Sequence, residues 1–506
     1  MRSLSVVARN FSLVAIAQII TLGASFFFTL AQARFLGPAR FGELSVALSV
    51  SAILTLVIDF GLGSKLPRDV AQRPEAAGQA LVASFVVRGA IWVAAVPVVW
   101  AATTVLGYGP ELQSSVLILS LSVLFSGFAA SLVGYFQGRE QFVFPSLGMV
   151  SQRATAATLG VGALALGYGA PVVAAMYVVA SVVQVVVMLP GLRKYPVSPT
   201  TLERHTVIDM VRGTATLGFF WMLGAFYYNV DLLILQRLMP AENVAWYAAA
   251  YRLFGVALAV VSFASSAVLY PAISRLSIGP RAELRRAMER SFTFLLGSGI
   301  FVALVVAIAA EQIVALVFPA RDYGPAASAL RLLAPAIAAM YANGPFFLVL
   351  LGMHSDRGLL AMAATLAVLN PLANIIAIPL YGQNASALLT SATELAVLGW
   401  VIALTPRDLR GAADPRVVVR LFAAALPAAM SLWLLHPLPV LVSVPLASVV
   451  YVAAALACGA VPADDVRAVR ALVLRRRTAA DATMDSSLSL RGAPIRAAEG
   501  VSAHVE

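Results

Sequence analysis

Apolar stretches of about twenty residues recur along this chain, separated by short clusters of arginine. As a helix, such a stretch crosses the hydrocarbon core of a bilayer. In lipid, only helices and closed barrels satisfy every backbone polar group internally. Hydrophobic residues make up 60% of the 506 and charged residues only 12%, and the mean hydropathy is +0.88. A soluble protein cannot bury that much apolar surface, so the expected fold class is an all-α polytopic membrane protein.

The pattern predicts about 14 transmembrane helices, at roughly 11–33, 42–64, 80–103, 113–135, 146–167, 172–191, 213–237, 245–270, 291–318, 326–351, 358–380, 385–404, 418–436 and 440–460. The N-terminus imitates a signal peptide, with Arg2 and Arg9, an apolar run and then Ala31-Gln32-Ala33. The run from Phe11 to Leu30 is longer than a signal sequence needs and many spans follow, so we read it as an uncleaved first span.

Two stretches about 200 residues apart resemble each other. Ala33-Arg34-Phe35-Leu36-Gly37-Pro38-Ala39-Arg40-Phe41-Gly42 runs into an apolar helix, and so does Gln236-Arg237-Leu238-Met239-Pro240-Ala241-Glu242-Asn243-Val244-Ala245. Arg34 matches Arg237 and Pro38 matches Pro240, and the turns Tyr168-Gly169-Ala170 and Tyr381-Gly382-Gln383 form a second pair. Duplication of this kind is common in secondary transporters. It divides the chain into a six-helix lobe at 1–211, a second at 212–405, a two-helix hairpin at 406–461 and a basic tail at 462–506. An even number of spans separates equivalent turns, so they face the same side, and the repeat is a parallel, pseudo-twofold one about an axis along the membrane normal.

The formal charge of +11 does not point to nucleic acid, because the arginines sit between apolar runs and at the C-terminus. With the N-terminus in the cytosol, five basic residues lie outside (Arg34, Arg40, Arg237, Arg321, Arg331) and three within spans (Arg88, Arg153, Arg252). That leaves 27 of the 35 inside, so the positive-inside rule places both termini in the cytosol. The longest inner loops, about 192–212 and 271–290, are too short to fold as domains. In the tail, Asp464 to Arg477 reads as an amphipathic helix ending in Arg475-Arg476-Arg477, suited to anionic headgroups or to a simple positive-inside anchor, and 478–506 lack apolar periodicity and read as disordered.

Several chemistries are absent. A single cysteine, Cys458, excludes an intrachain disulfide, and the four histidines have no metal-ligand spacing. No Gly-Lys dipeptide exists, so there is no Walker A phosphate loop, and no long outer loop carries acids, bases or nucleophiles. The sequence therefore reads as a transporter, channel or structural membrane protein that needs no cofactor, not as an enzyme.

Charge within hydrocarbon is expensive, at least about 2.5–3.5 kcal/mol at a helix centre, so embedded ionisable groups are paired or face water. Asp231 and Arg252 flank the 238–244 turn, each about seven residues from it, which predicts a contact or a shared cavity; a structural ion pair locking the hairpin is the alternative. Asp59 and Arg88 flank the 65–79 loop in the same manner and could instead snorkel to the interface. Arg153, beside Gln152, is a candidate phosphate-attracting cation or another snorkelling one. Glu394 has no sequence-local partner and is a candidate proton or sodium site, or an interhelical hydrogen-bond donor when protonated. Asn370 and Asn374 share one helix face and could line a cavity or join two helices.

The ordered motifs carry a family resemblance. Arg34-Phe35-Leu36-Gly37-Pro38, Phe41-Gly42, Leu44-Ser45 and Asp59-Phe60-Gly61-Leu62-Gly63 resemble the start of the polysaccharide transporter, or oligosaccharide flippase, family. So do Asn229 to Leu235, Tyr247, Ala250-Tyr251-Arg252 and Tyr270-Pro271-Ala272-Ile273-Ser274-Arg275-Leu276 in the second half. Phe318, Tyr323, Ala326 and Leu330 to Ala334 fit its ninth-to-tenth span junction, and Asn370, Asn374 and Ile378 to Gly382 fit its eleventh span. The resemblance covers about residues 5–405.

It implies two six-helix lobes around a central cavity, and movement of undecaprenyl-diphosphate-linked oligosaccharide to the outer leaflet of the bacterial inner membrane. It also implies ion gradients or potential as the energy source, and kinship with multidrug extruders and the lipid II flippase. Expected partners are the lipid-linked oligosaccharide, membrane lipid, and a polysaccharide polymerase and glycosyltransferases. The substrate-cavity candidates are Arg88, Arg153, Arg252, Asn370 and Asn374, with Arg34 a weaker one; the ion-coupling or ion-pair candidates are Asp59, Asp231 and Glu394. A drug/ion antiporter, a lipid II flippase and a non-transporting scaffold for glycan assembly remain the alternatives.

Overall fold

The computed structural model describes residues 4–195, 203–264, 280–353 and 356–461. The Tyr270 to Leu276 motif, parts of both basic inner loops and the tail after 461 lie outside the described residues. Every regular element among the described residues is helical. The long ones are α1 (Leu4–Asp59), α3 (Ala77–Val105), α4 (Pro110–Gly138), α5 (Val143–Ala165), α6 (Ala170–Lys194), α7 (Arg204–Leu238), α8 (Ala241–Ala264), α9 (Arg281–Val317), α10 (Ala326–Gly352), α11 (Asp356–Tyr381), α12 (Gln383–Leu404), α13 (Pro415–Leu434) and α14 (Val440–Ala457). A short helix, α2 (Leu62–Gln72), follows α1.

Among the described residues, eleven helices are long and apolar enough to cross a membrane. The difference from fourteen arises in three places. The stretch Ile16–Gln72 counts as a single candidate span, yet its α1 part, continuous to Asp59, contains two span-length arms joined at a kink. There Gly37 takes φ 71°, a left-handed conformation that suits glycine, and Pro38 removes one backbone donor. Helix α5 carries Gln152 and Arg153 mid-length, and α8 is described only to Ala264.

Lipid-facing surfaces are apolar throughout: Phe27, Val98, Ile376, Leu426, Trp433 and Leu441 are all well exposed. Such outward leucines and valines would be liabilities in water and are the expected face toward acyl chains.

Helices α1, α4, α5 and α6 pack on one another, as do α7, α11 and α12, and α10 packs against both α9 and α12. Helices α13 and α14 pack on each other and lean on α9, where the Tyr451 hydroxyl donates to the Gly297 carbonyl at 2.9 Å.

Helix α1 meets α8 at the duplicated turns. A Cβ on Gly42 would overlap the Ala241 carbonyl oxygen and crowd the Ala245 nitrogen, so backbone meets backbone there. Phe41, Phe318 and Tyr323 close over that contact as a buried aromatic cluster, with centroids 5.2 to 6.4 Å apart. The Tyr323 hydroxyl donates to the Ala33 carbonyl at 3.2 Å, and Asn243 donates to Gln383 at 2.7 Å. We term this side outer, following the charge rule. At the opposite side, Phe60 and Gly61 break α1 from α2 with positive φ and dock on α7, with Phe60 edge-on to Phe219 at 5.3 Å.

The Asp59–Arg88 prediction resolves as an ion pair of 2.8 Å. Arg88 is 1% exposed and also donates to Ser84 at 3.4 Å; Ser84 in turn bonds Ser131 at 2.8 Å. The pair ties α1 to α3 and α4. Asp59→Ala should therefore lower stability by up to about 3 kcal/mol, since it strands a buried guanidinium, whereas Arg88→Met should do less harm because Asp59 is 26% exposed and can reach water. Thermal unfolding in detergent checks this; equal destabilisation by the two variants would contradict it.

Candidate functional site

Apart from a cavity of about 530 Å³ at the inner side, between α2, α3 and α7, where Lys65, Arg68, Asp69 and Asp209 carry charge of both signs, polar groups within the helical body gather in two places. The first is a pair of contiguous cavities. One, of about 460 Å³, lies between α1, α5, α6, α7 and α8, where Arg153, Tyr177, Asn229, Tyr251 and Arg252 line it among apolar side chains and hydroxyls such as Ser25 and Thr29. The other, of about 480 Å³, lies between α1, α4, α5 and α6, with Gln137, Gln152, Gln184, Ser122 and Ser126 in its wall. Leu48, Ala52, Arg153 and Tyr177 line both, so the two adjoin at Arg153. Tyr177 is held there by Gln32, whose amide donates to the hydroxyl at 3.0 Å.

Charge in this cavity pair has one sign. Arg153 and Arg252 line it, and neither cavity is lined by an aspartate or glutamate. Both arginines keep their side chains accessible, and neither forms an ion pair among the described residues. An unpaired guanidinium at this depth is tolerated only beside water or an anion. Its planar fork of donors fits phosphate oxygens in pairs.

The second place is a small pocket between α7, α8, α11 and α12, with room for about one water or a bare small cation (about 10 Å³). Asp231 and Glu394 both line it, with Tyr227, Tyr228, Tyr251, Asn370, Thr390 and Thr393. Asp231 accepts from the Tyr247 hydroxyl and from the Leu232 amide at 2.8 Å, and Tyr247 also contacts the Thr390 hydroxyl at 3.2 Å. Glu394 is 1% exposed; one carboxylate oxygen accepts from Tyr227 at 3.4 Å, and Oε2 makes no hydrogen bond. Neither acid has an ion-pair partner among the described residues.

The structure separates Asp231 from Arg252, correcting the expected contact or shared cavity. Their depths match, but their helix faces do not. On α7, Asn229 and Leu232 face the large cavity while Tyr227, Tyr228 and Asp231 face the small one. On α8, Ala248, Arg252 and Gly255 face the large cavity. Tyr251 lines both and forms the wall between them, its hydroxyl donating to the Tyr228 carbonyl at 3.3 Å.

Arg88 lines neither large cavity, being engaged with Asp59. Asn374 donates to the side chain and carbonyl of Asn370 at 3.0 Å and accepts from Ser386 at 2.9 Å; Asn370 donates to Thr393 at 3.2 Å. The asparagines thus join α11 to α12, and Asn370 alone of the two lines the acid pocket. The sequence marked Tyr247 and Tyr251 only as motif residues and assigned the tyrosines around the two acids no role. Tyr247 and Tyr251 are one turn apart, as are Tyr227 and Asp231, and that spacing was the available signal.

Residues 7–277 match the sequence model of a family described as polysaccharide biosynthesis protein. No curated protein matches the chain in sequence. Among solved structures, it is similar to the lipid II flippase MurJ in an inward closed conformation, with a TM-score of 0.72 at 14% identity, covering 87% of this chain and 97% of that one. It is also similar to an inward-facing multidrug resistance MATE family transporter of the MOP superfamily (TM-score 0.61, 15% identity, 75% and 95% covered). A third is a Vibrio cholerae MATE transporter, VcmN (TM-score 0.57, 15% identity, 80% and 98% covered). At these identities the likeness establishes the all-helical transporter fold.

Proposed function

Because the chain belongs to the polysaccharide biosynthesis protein family, we propose that it flips a lipid-linked glycan, an undecaprenyl-diphosphate-linked oligosaccharide, across the bacterial inner membrane by alternating access. Both termini lie in the cytosol in this reading, and the product serves surface or exopolysaccharide assembly, with a polymerase and glycosyltransferases as working partners.

One observation carries the reading: the large cavities hold Arg153 and Arg252 and no acid. A diphosphate is attracted there, while the polyprenyl chain stays in lipid. An antiporter of cationic drugs would need the opposite sign, because an unbalanced positive lumen repels its cargo. The lipid II flippase reading shares the anion chemistry and differs only in headgroup.

The acid pocket supplies a separate place for a proton or monovalent cation, walled from the substrate by Tyr251. This supports energy coupling through Asp231 and Glu394 without nucleotide. Purified protein in proteoliposomes should move a fluorescent polyprenyl-diphosphate glycan between leaflets, and a non-transporting scaffold would move none. In the same vesicles, Asp231→Asn with Glu394→Gln should reduce gradient-driven transport at least about tenfold while leaving gradient-free equilibration in place. Unchanged gradient dependence would remove the pocket from the coupling mechanism.

A further inference from the structure

We propose that the cavity between α1, α4, α5 and α6 is a glycan subsite, binding uncharged sugar residues next to the diphosphate through Gln152 and Gln184; this rests on the flippase reading above. Its position follows from Arg153, which lines both cavities. A diphosphate held at that guanidinium leaves the first sugars beside the second cavity.

The lining matches the chemistry of sugars. Apart from Arg153, its polar groups are amides and hydroxyls, with Gln137, Gln152, Gln184, Ser122 and Ser126 among them. A primary amide offers two donors and an acceptor, which suits the vicinal hydroxyls of a pyranose. Neutral polar groups at this depth are unfavourable without a partner, so they are expected to face water or ligand.

The wall is also pre-positioned. Ser181, fully buried, bonds the hydroxyls of both Ser122 at 2.8 Å and Ser126 at 3.1 Å, and its own hydroxyl donates back to the Tyr177 carbonyl at 2.9 Å. Ser126 then accepts from the Gln152 amide nitrogen at 3.4 Å. This leaves the Gln152 carbonyl oxygen directed to other donors, and Gln184 has no hydrogen-bond partner among the described residues. Among the described residues, the amides of α11 in the other lobe are already engaged. Asn370, Asn374, Ser386 and Thr393 are bonded to one another between α11 and α12 and do not line the large cavities.

The test compares two synthetic probes in proteoliposomes: a polyprenyl diphosphate bearing a neutral trisaccharide, and the same carrier without sugar. Gln152→Leu with Gln184→Leu should slow the trisaccharide probe at least tenfold and leave the bare carrier unchanged, which also shows that the variant is folded. Equal slowing of both probes, or of neither, overturns the proposal. Where the leucine variant melts below the wild type, Gln152→Ala with Gln184→Ala is read by the same two outcomes. Wild-type protein that moves neither probe would overturn the flippase reading itself, so the two failures are distinguishable.

Discussion

The Arg153→Ala, Arg252→Ala double variant is expected to lose at least about 100-fold of its transport rate for any diphosphate-linked substrate. Charge-assisted hydrogen bonds contribute about 1.5–3 kcal/mol each, so removing two corresponds to about 3–6 kcal/mol. The two arginines supply the charge of the large cavities, and no acid there offsets them. Their removal leaves a neutral lumen in which a diphosphate has lost its hydration and gained no counter-charge. Replacement by lysine should be milder, because the charge remains and only the paired donor geometry is lost. The measurement is leaflet exchange of a labelled polyprenyl-diphosphate glycan at fixed protein density. Arg88→Met is the informative control: it should change thermal stability and leave the transport rate per folded molecule within about twofold. Normal transport by the double variant would end the assignment of Arg153 and Arg252 to the substrate.

Gly42→Val should hold the outer side open and reduce transport to below about a tenth. At this position a side chain has nowhere to go, since it meets backbone atoms of Ala241 and Ala245 and no flexible side-chain end. Overpacking of this kind typically costs about 1–3 kcal/mol, enough to shift a closed–open balance by about 5- to 150-fold. The readout is access: with Cys458 replaced by Ser, an Ala33→Cys probe should be protected in the parent and should react with a membrane-impermeant thiol reagent in the Gly42→Val variant. Ala33 is 1% exposed behind the turn and its carbonyl receives the Tyr323 hydroxyl. Gly23→Ala, where an added Cβ meets nothing within 4 Å, should change neither measurement.

Helix existence and order were legible in the sequence because lipid imposes one rule on every span: apolar length. The duplicated turns were legible for the same reason, as polar interruptions with a recurring proline. Register around each helix was not. Asp231 and Arg252 have matching depths by residue count, yet a rotation of roughly 100° per residue along α7 and α8 decides which cavity each faces. Nor could spacing along the chain reveal that Glu394 on α12 lines one pocket with Asp231 on α7, since that placement depends on how distant helices pack. For Asp59 and Arg88 the sequence left two readings open, and the Ser84–Ser131 bond beside Arg88 shows why the interior position wins: the guanidinium finds partners there that the interface does not supply.

The outer closure joins two copies of one sequence element. Gly42 belongs to the first copy and Ala241 and Ala245 to the second, and their backbones touch. Such a contact has the form of an isologous dimer interface, in which a surface is complementary to itself. A chain carrying only one six-helix unit would hold half of this closure and could complete it only against a second molecule. Within one chain, each copy is free to diverge. The contact shows that divergence, with glycine on one face against alanines on the other, and Phe41 covered by Phe318 and Tyr323 of the second half.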